Sequence, residues 1–390
     1  MPCSAGRSRS SRRRSRPVTR CSNSASACPV TGADFLIVGG GIAGLSAGAR
    51  LARHGRVVVL EAEDAIGYHS SGRSVSFSHY GIGAATVRAL TAHSRDFFTP
   101  PFAAAFPTLY FADIENLERL ETLAAGMARV TDAIRVVDVP EMARLFPPLR
   151  PSAIRGLLDP AGLKLDADLI LQHLARQIRS GGGQVLKGKR AASINPGWTV
   201  RTEDGVEFSA PVLVNAAGAW ADRIAALAGV APLGLSPRRR TIIVVEAPPE
   251  ASSWPFAHSV AGDFYLLPEA GRLLVSPVDE VPDDPCDARP DDYDVALAAD
   301  RLEHYTTIAA KRIVHRWAGL RTFTHDRVPT AGFAPDAPGF FWLAGQGGYG
   351  FQTGPAMAEI AEALIAGVPW PKGLARRGVL VEQVAPGRST

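Results

Sequence analysis

"DFLIVGGGIAGLSAGARLARHG" (Asp34–Gly55) is the stretch on which the fold turns. Phe35–Val38 reads as a buried strand and is followed at once by a glycine turn. The spacing then predicts a helix from Ile42 to about His54, with Leu45, Ala49 and Ala52 as its core-facing stripe. Gly55 closes that helix, and "RVVVLEA" (Arg56–Ala62) is a second buried strand, so the segment is one strand–helix–strand unit. Gly39, Gly41 and Gly44 fill the three positions of G-x-G-x-x-G. The first permits the sharp turn, the second lets backbone approach a pyrophosphate, and the third lets helix and strand pack closely. The helix N-terminus offers free N–H groups and its positive dipole end to phosphate oxygens. Glu61 lies 22 residues beyond Gly39, at the end of the second strand. An acid there accepts from ribose hydroxyls and disfavours a 2′-phosphate.

A chain that binds NAD alone would run from Glu61 into a short loop and a helix. Here "GYHSSGRS" (Gly67–Ser74) follows within a few residues. It can reach back over a pyrophosphate: Ser70, Ser71 and Ser74 as hydroxyl donors, Gly72 as a close backbone contact and Arg73 as a charge partner. FAD keeps its flavin at a domain junction and needs that second grip. A surface loop capped by its own serines would explain the residues taken alone, but not their position after Glu61.

The 390 residues suffice for two intertwined domains with ample core. No apolar run approaches the length of a membrane span. The formal charge of +4 misleads, because residues 1–32 hold seven arginines and no acid; removing them leaves −3. The body therefore has no basic field for nucleic acid, and none is expected as a partner. Cys3, Cys21 and Cys28 also lie in that segment, which leaves Cys286 alone in the body. A body without a cysteine pair points to a reducing compartment, and we expect the cytoplasm. The Arg/Ser-rich segment is expected to be disordered. It could be a transit peptide, a nucleic-acid arm or an extension without function, and the last is adopted. Scattered histidines, the lack of CxxC in the body and the lack of G-x-S-x-G leave no metal or nucleophile motif.

Farther along, residues 84–98 read as an amphipathic helix, 109–111 as a short strand, and 116–130 and 139–146 as helical pieces. "DADLILQHLARQIRSGGGQVL" (166–186) is helix, glycine stop and strand; 198–220 is a hairpin around Asp204-Gly205 followed by a buried strand. Residues 238–280 suggest antiparallel strands and 291–313 a helix. "FFWLAGQGGYGFQTGPAMAEIAEALIAG" (340–367) repeats strand, glycine turn and helix. The expected fold is α/β: a Rossmann-like cofactor domain assembled from distant segments, with an inserted α+β substrate domain carrying an antiparallel sheet. The expected segments are a tail at 1–32, cofactor-binding parts at 33–83, 151–228 and 317–375, substrate parts at 84–150 and 229–316, and a C-terminal tail at 376–390.

With these motifs, residues 33–375 resemble the FAD-dependent glycine/D-amino-acid oxidase family. The resemblance runs through the glycine fingerprint, "GYHSSGRS", "VLVNAAGAW" (212–220), "WAGLRTF" (317–323) and "GQGGYGFQT" (345–353). Several segments look closest to its D-arginine dehydrogenase branch. The resemblance implies that Ala43, Ala62 and Ala191 also meet the cofactor. It also implies that Gly348, Tyr349, Gly350, Phe351 and Gln352 start a helix aimed at the flavin. A helix N-terminus there would stabilise negative charge on reduced flavin. Arg321 matches the family's bidentate clamp on a substrate carboxylate, with Arg240 and Tyr265 in support. Arg240 could equally be part of a solvated charged edge, and Tyr265 a core residue.

The side-chain pocket departs from the D-arginine branch. Thr108 stands where that branch has glutamate, and Phe77 and Ile82 replace a histidine and a tyrosine. His79 and His258 enter nearby, and would repel cations as the pH falls toward their usual range. The expected activity is therefore oxidation of the CH–NH2 group of a D-amino acid with a neutral side chain, by hydride transfer to flavin. A side-chain acid held by either histidine stays open. FAD is expected to be non-covalent, although some relatives attach flavin to a histidine near His69. Oxygen or a quinone would reoxidise it. The alternatives are a secondary-amine oxidase acting on sarcosine, glycine or proline, and a nucleic-acid-binding protein led by the arginine-rich segment.

Overall fold

The computed structural model describes residues 31–388; the arginine-rich segment up to residue 30 lies outside the described residues. Two large sheets organise the chain. One has the order Gln184–Leu186, Val57–Leu60, Phe35–Val38, Val212–Asn215, Phe340–Ala344 and Thr330–Phe333. All its pairings are parallel except the last. The strands Phe35–Val38 and Val57–Leu60 are buried on both faces, which is why they read as unbroken apolar runs. Ile37, Val57 and Val59 pack against helices Ile42–Leu51, Ala167–Ser180 and Gly350–Ala366. Leu36, Val58 and Leu60 face a small sheet that contains Ile194, Val200 and Phe208.

The second sheet is antiparallel for the most part and nine-stranded. Its spine is the pairing of Ser236–Glu246 with Ile313–Phe323, which sets Arg240 opposite Gly319 and Arg238 opposite Arg321. Tyr265–Glu269, Phe256–Ser259 and Thr108–Ala112 continue it. Helix Asp292–Tyr305 packs its Val295, Ala298 and Leu302 onto one face. The other face, with Phe77, Ile242, Phe256 and Tyr265, looks toward the site. Among the described residues no helix is long and apolar enough to cross a membrane.

Several boundaries differ from the sequence expectation, each for a tertiary reason. The glycine-turn helix ends at Leu51, not His54, because His54 and Arg53 donate to carbonyls three residues back and tighten the last turn. Residues 306–312 are not helical: Thr306 is extended and Thr307 donates to the Pro148 carbonyl, so a neighbouring loop takes over the backbone. Arg155–Asp159, assigned to a cofactor segment, pairs with Thr108–Ala112 in the antiparallel sheet. The expected boundary at 316/317 falls inside the strand Ile313–Phe323. Order starts before Ala33, since Thr31–Gly32 pairs with Phe208–Ser209. The segment 376–388 is no tail, because Val379 and Val384 are fully buried and Arg388 bonds Asp326 and Thr330.

Gly44 carries the closest approach in the parallel sheet. A Cβ there would overlap the Gly39 carbonyl oxygen and come within 3.2 Å of Ile37 Cγ2. Gly44→Ala should therefore lower the unfolding free energy of cofactor-stripped protein by about 1–3 kcal/mol, the usual scale of overpacking. A urea titration checks this; an unchanged midpoint would mean that the helix shifts freely.

Candidate active site

Two cavities meet between the sheets. The first follows the carboxyl ends of the parallel strands, past Val38, Leu60 and Ala216. Gly39, Gly41, Ala43, Glu61, Ala62 and Ala191 line it. Gly39 has φ +113°, and a Cβ on it would overlap the Ala216 carbonyl, so only glycine fits. Gly44 lies behind the turn and serves packing alone. Glu61 is buried, and its two oxygens accept from Gly40 N at 2.8 Å and Glu63 N at 2.9 Å. Burial raises its carboxyl pKa, while the Glu63 and Gly40 N–H groups oppose the rise. Each oxygen retains a lone pair for a hydroxyl donor.

The serine loop is built differently from the expectation. Ser71 Oγ accepts from Ile42 N at 3.0 Å, capping the helix from the side. Ser70 Oγ donates to Leu320 O at 2.6 Å, and Ser74 Oγ accepts from Ser76 N at 3.0 Å. Arg73, expected as a charge partner for a pyrophosphate, lines the cavity and already has protein partners. Its guanidinium donates to Ala288 O at 2.9 Å and Ala318 O at 3.1 Å and pairs with Asp287. It thus ties the loop to the antiparallel sheet. Gly72 does not line the cavity; its N–H closes a turn onto Gly67 O. Three buried atoms on this wall lack partners: His69 Nδ1, at the residue already singled out in the sequence, and Thr322 Oγ1 and Gln346 Nε2, which sequence reasoning missed. Gln346 sits inside "GQGGYG", and its amide was the available signal. Opposite, helix Gly350–Ala366 begins with no side-chain cap. An uncapped N-terminus, unpartnered polar atoms and a glycine cradle suit a phosphate-bearing cofactor with a polar ring system.

Arg240, Tyr265, Arg321, Gly348 and Phe351 line both cavities and so mark their junction. Tyr349 and Gln352, expected against the cofactor, face only the second cavity. The two arginines divide sharply. Arg240 is buried, donates from Nε to Asp279 O at 2.7 Å and pairs with Glu280 at 3.3 Å. Burial and then the like charge of Arg321 bring it down to about 10, still protonated at neutral pH. Arg321 has no carboxylate or hydrogen-bond partner among the described residues, and its guanidinium lies flat on Gly348, where a Cβ would come within 2.7 Å of Nη1. The Tyr265 hydroxyl beside them is buried without a partner.

The rest of the second cavity is aromatic. Phe77, His79, Ile82 and His258 line it, as expected, together with Tyr110 and Phe256, which were missed. Tyr110 pairs across from His258 on neighbouring strands, and alternation on Thr108–Ala112 gave a signal for it. Thr108 itself does not reach the cavity. It is fully buried, its hydroxyl is unpartnered, and Gly162 covers it, with 2.7 Å from a Cβ there to Oγ1. Phe77 and Phe256, 4.5 Å apart, form the wall at that level. His79 Nδ1 meets the Tyr110 hydroxyl at 2.5 Å. Burial, then Arg321 and Arg95, hold His79 down at about 3. Burial, then His79, Arg321 and Arg240, hold His258 well below its ordinary value. Neither histidine charges near neutrality, so the expected pH-dependent repulsion of cations is absent. Among the described residues no cluster could hold a metal ion.

Comparison with known proteins agrees with this geometry. A family model described as "FAD dependent oxidoreductase" (DAO) matches residues 34–364. The peroxisomal sarcosine oxidase of Homo sapiens is 27% identical over 229 residues, 54% of this chain and 55% of that protein, so the match spans about half its length. Among solved structures, glycine oxidase from Geobacillus kaustophilus superposes with a TM-score of 0.79 at 21% identity, covering 93% of this chain and all of that one. L-Proline dehydrogenase from P. horikoshii gives 0.78 at 20% identity, covering 92% and 98%. At these identities the structural likeness concerns the fold.

The buried histidine has a consequence for stability. The unfolded chain protonates His79 near its ordinary value of 6.5, whereas the folded protein does so only at about 3. Unfolded protein therefore binds the proton first, and stability falls as pH drops from about 6.5 to about 3, with no contribution above that window. Urea midpoints at about pH 7.5 and about pH 5 should differ less in His79→Asn than in the wild type. An equal difference would mean that His79 titrates normally in the fold.

Proposed function

The chain belongs to the FAD dependent oxidoreductase (DAO) family, and from that premise we propose that it oxidises the amine of a D-amino acid to the imine. The observation that carries this is Arg321: a guanidinium without a carboxylate, beside an unpartnered Tyr265 hydroxyl, where the cofactor and substrate cavities join. When bound, FAD supplies the acceptor for a hydride. The protein's part is positioning. Arg321 forks onto the substrate carboxylate, Tyr265 donates a further hydrogen bond to it, and Arg240, braced by Asp279 and Glu280, holds the neighbouring positive field. With the carboxylate fixed, Cα–H is directed from the second cavity toward the first. Neither histidine is a useful base at such low pKa values, so the amine loses its proton to water.

A cavity of about 960 Å³ has room for far more than glycine. Its wall of Phe77, His79, Phe256 and His258 is uncharged, and its glutamates are Glu118 and the arginine-paired Glu280. A cationic side chain would lose hydration there and meet only the exposed Glu118 as a carboxylate outside an ion pair. That argument, rather than Thr108, sets this chain apart within the D-arginine dehydrogenase-like branch to which we assign it. FAD is held without a covalent bond in this reading, His69 being engaged at Nε2 by Glu63 at 3.1 Å. Cys286, free and partly buried, suits a cytoplasmic protein. The names of the relatives favour a second reading, a secondary amine such as sarcosine or proline.

Purified protein should be yellow and release FAD on acid precipitation; colour left in the pellet would point to attachment, at His69 first. A panel of D- and L-amino acids, glycine, sarcosine and L-proline, with dye and oxygen as acceptors, decides between the readings. Arg321→Ala should keep FAD yet lose about 30- to several thousand-fold in kcat/KM, the range for removing one partner of a buried charge pair. Arg321→Lys should also be poor, since an ammonium cannot fork. A loss of only a few-fold would move the clamp to Arg240.

A further inference from the structure

The substrate cavity holds a second part-buried guanidinium without a counter-ion, beside the exposed Arg119 and Arg129. Arg88, on helix Ala85–Ser94, lines the same cavity as Arg321. Its Nε donates to the Tyr80 carbonyl at 2.9 Å, which fixes the plane of the group. Among the described residues its two terminal nitrogens have no hydrogen-bond or salt-bridge partner. It is half-buried, and the positive charge of Arg129 adds to its desolvation. The facing helix, Leu117–Met127, carries a glycine where it meets this group. A Cβ on Gly126 would lie 2.9 Å from Nη1 and 3.2 Å from Cζ of Arg88. Glycine is a poor helix residue, and here it clears the space that Arg88 needs.

The cavity as a whole is biased the same way. Arg88, Arg119, Arg129, Arg240 and Arg321 line it, against Glu118 and Glu280. Glu280 is already shared between Arg240 and Arg327, and Glu118 is exposed. Arg88 bonds the carbonyl of Tyr80, the chain neighbour of His79, whose Nδ1 meets the Tyr110 hydroxyl, and Arg88, His79, Tyr110 and Arg321 all line the cavity. A substrate whose carboxylate is forked by Arg321 would therefore pass along neutral aromatic groups and end at Arg88.

We propose that the substrate is an acidic amino acid, with Arg88 binding the side-chain carboxylate while Arg321 binds the α-carboxylate. This rests on the amino-acid reading above and narrows it. An amide isostere fills the same volume but offers no charge to an unpaired, half-buried guanidinium.

Two measurements test it in the FAD-loaded protein. The first is the affinity of glutarate beside valerate, from perturbation of the flavin absorbance; the pair differs only in the distal group, a carboxylate against a methyl. Glutarate should bind about 10- to 100-fold tighter, the range of a charge-assisted hydrogen bond. Arg88→Gln should abolish most of that advantage and leave valerate within about two-fold of the wild type, and Arg88→Lys should restore part of it. Equal affinities in the wild type, or an Arg88→Gln change that weakens both ligands alike, would overturn the proposal. The wild-type comparison needs no variant, so misfolding of Arg88→Gln leaves the test intact. The second is kcat/KM for D-glutamate beside D-glutamine and D-aspartate beside D-asparagine, where the acids should win and Arg88→Gln should reverse the order. Preference for the amides overturns the proposal. Glutarate preference with no amino acid turned over would instead defeat the amino-acid reading and leave the anion site standing.

Discussion

A guanidinium that is partly buried and given no carboxylate is an unstable arrangement unless something else answers its charge. Arg321 is in that position, and the neighbouring structure is organised around it. Arg240, opposite Gly319 two residues before Arg321 on the paired strand, is supplied with Asp279 and Glu280. Arg321 receives neither. The turn that faces it carries Gly348, which lets the guanidinium lie against backbone. The histidines nearby are kept neutral by burial and by that same charge. The arrangement leaves an unanswered positive centre beside two neutral histidines, at the seam between the two cavities.

Holding such a centre in register with a cofactor requires that the two sheets not slide. The loop Gly67–Ser74 provides the fastening. Ser71 bonds the helix start of the parallel sheet, while Ser70 bonds Leu320, next to Arg321 on the antiparallel strand. Arg73 reaches Ala318 on the same strand, and Trp317 Nε1 returns a bond to the Arg73 carbonyl at 3.0 Å. Side chains that look suited to gripping a pyrophosphate thus work mainly as struts. The helix N-termini at Gly41 and Gly350 then face the first cavity from fixed positions.

Much of the cofactor half was legible because its signals are short-range. The turn at Gly39 needs a positive φ and the contact at Gly44 needs a missing Cβ, and both demands fall within six residues. The runs Phe35–Val38 and Val57–Leu60 are apolar throughout because parallel strands are covered on both faces. Glu61 is placed by the strand that carries it. The helix at 292–305 was likewise foreseen, but its end was not, since Thr307 bonds a carbonyl more than 150 residues away in the chain.

The amino-acid sequence by itself determined the glycine turn, the acid that faces it and the two strand–turn–helix units, whereas the candidate carboxylate clamp was implied by a family resemblance. The first three depend on backbone conformation or on spacing along one element. Only the tertiary structure decided which charges meet. It paired Arg240 with Asp279 and Glu280, turned Arg73 onto carbonyls, buried Thr108 beneath Gly162 and left Arg321 and Arg88 open. The reason is physical. A side chain's partner is set by segments brought together from across the chain, and the free energy of a charge depends on that partner and on burial, neither of which is written into the residues beside it.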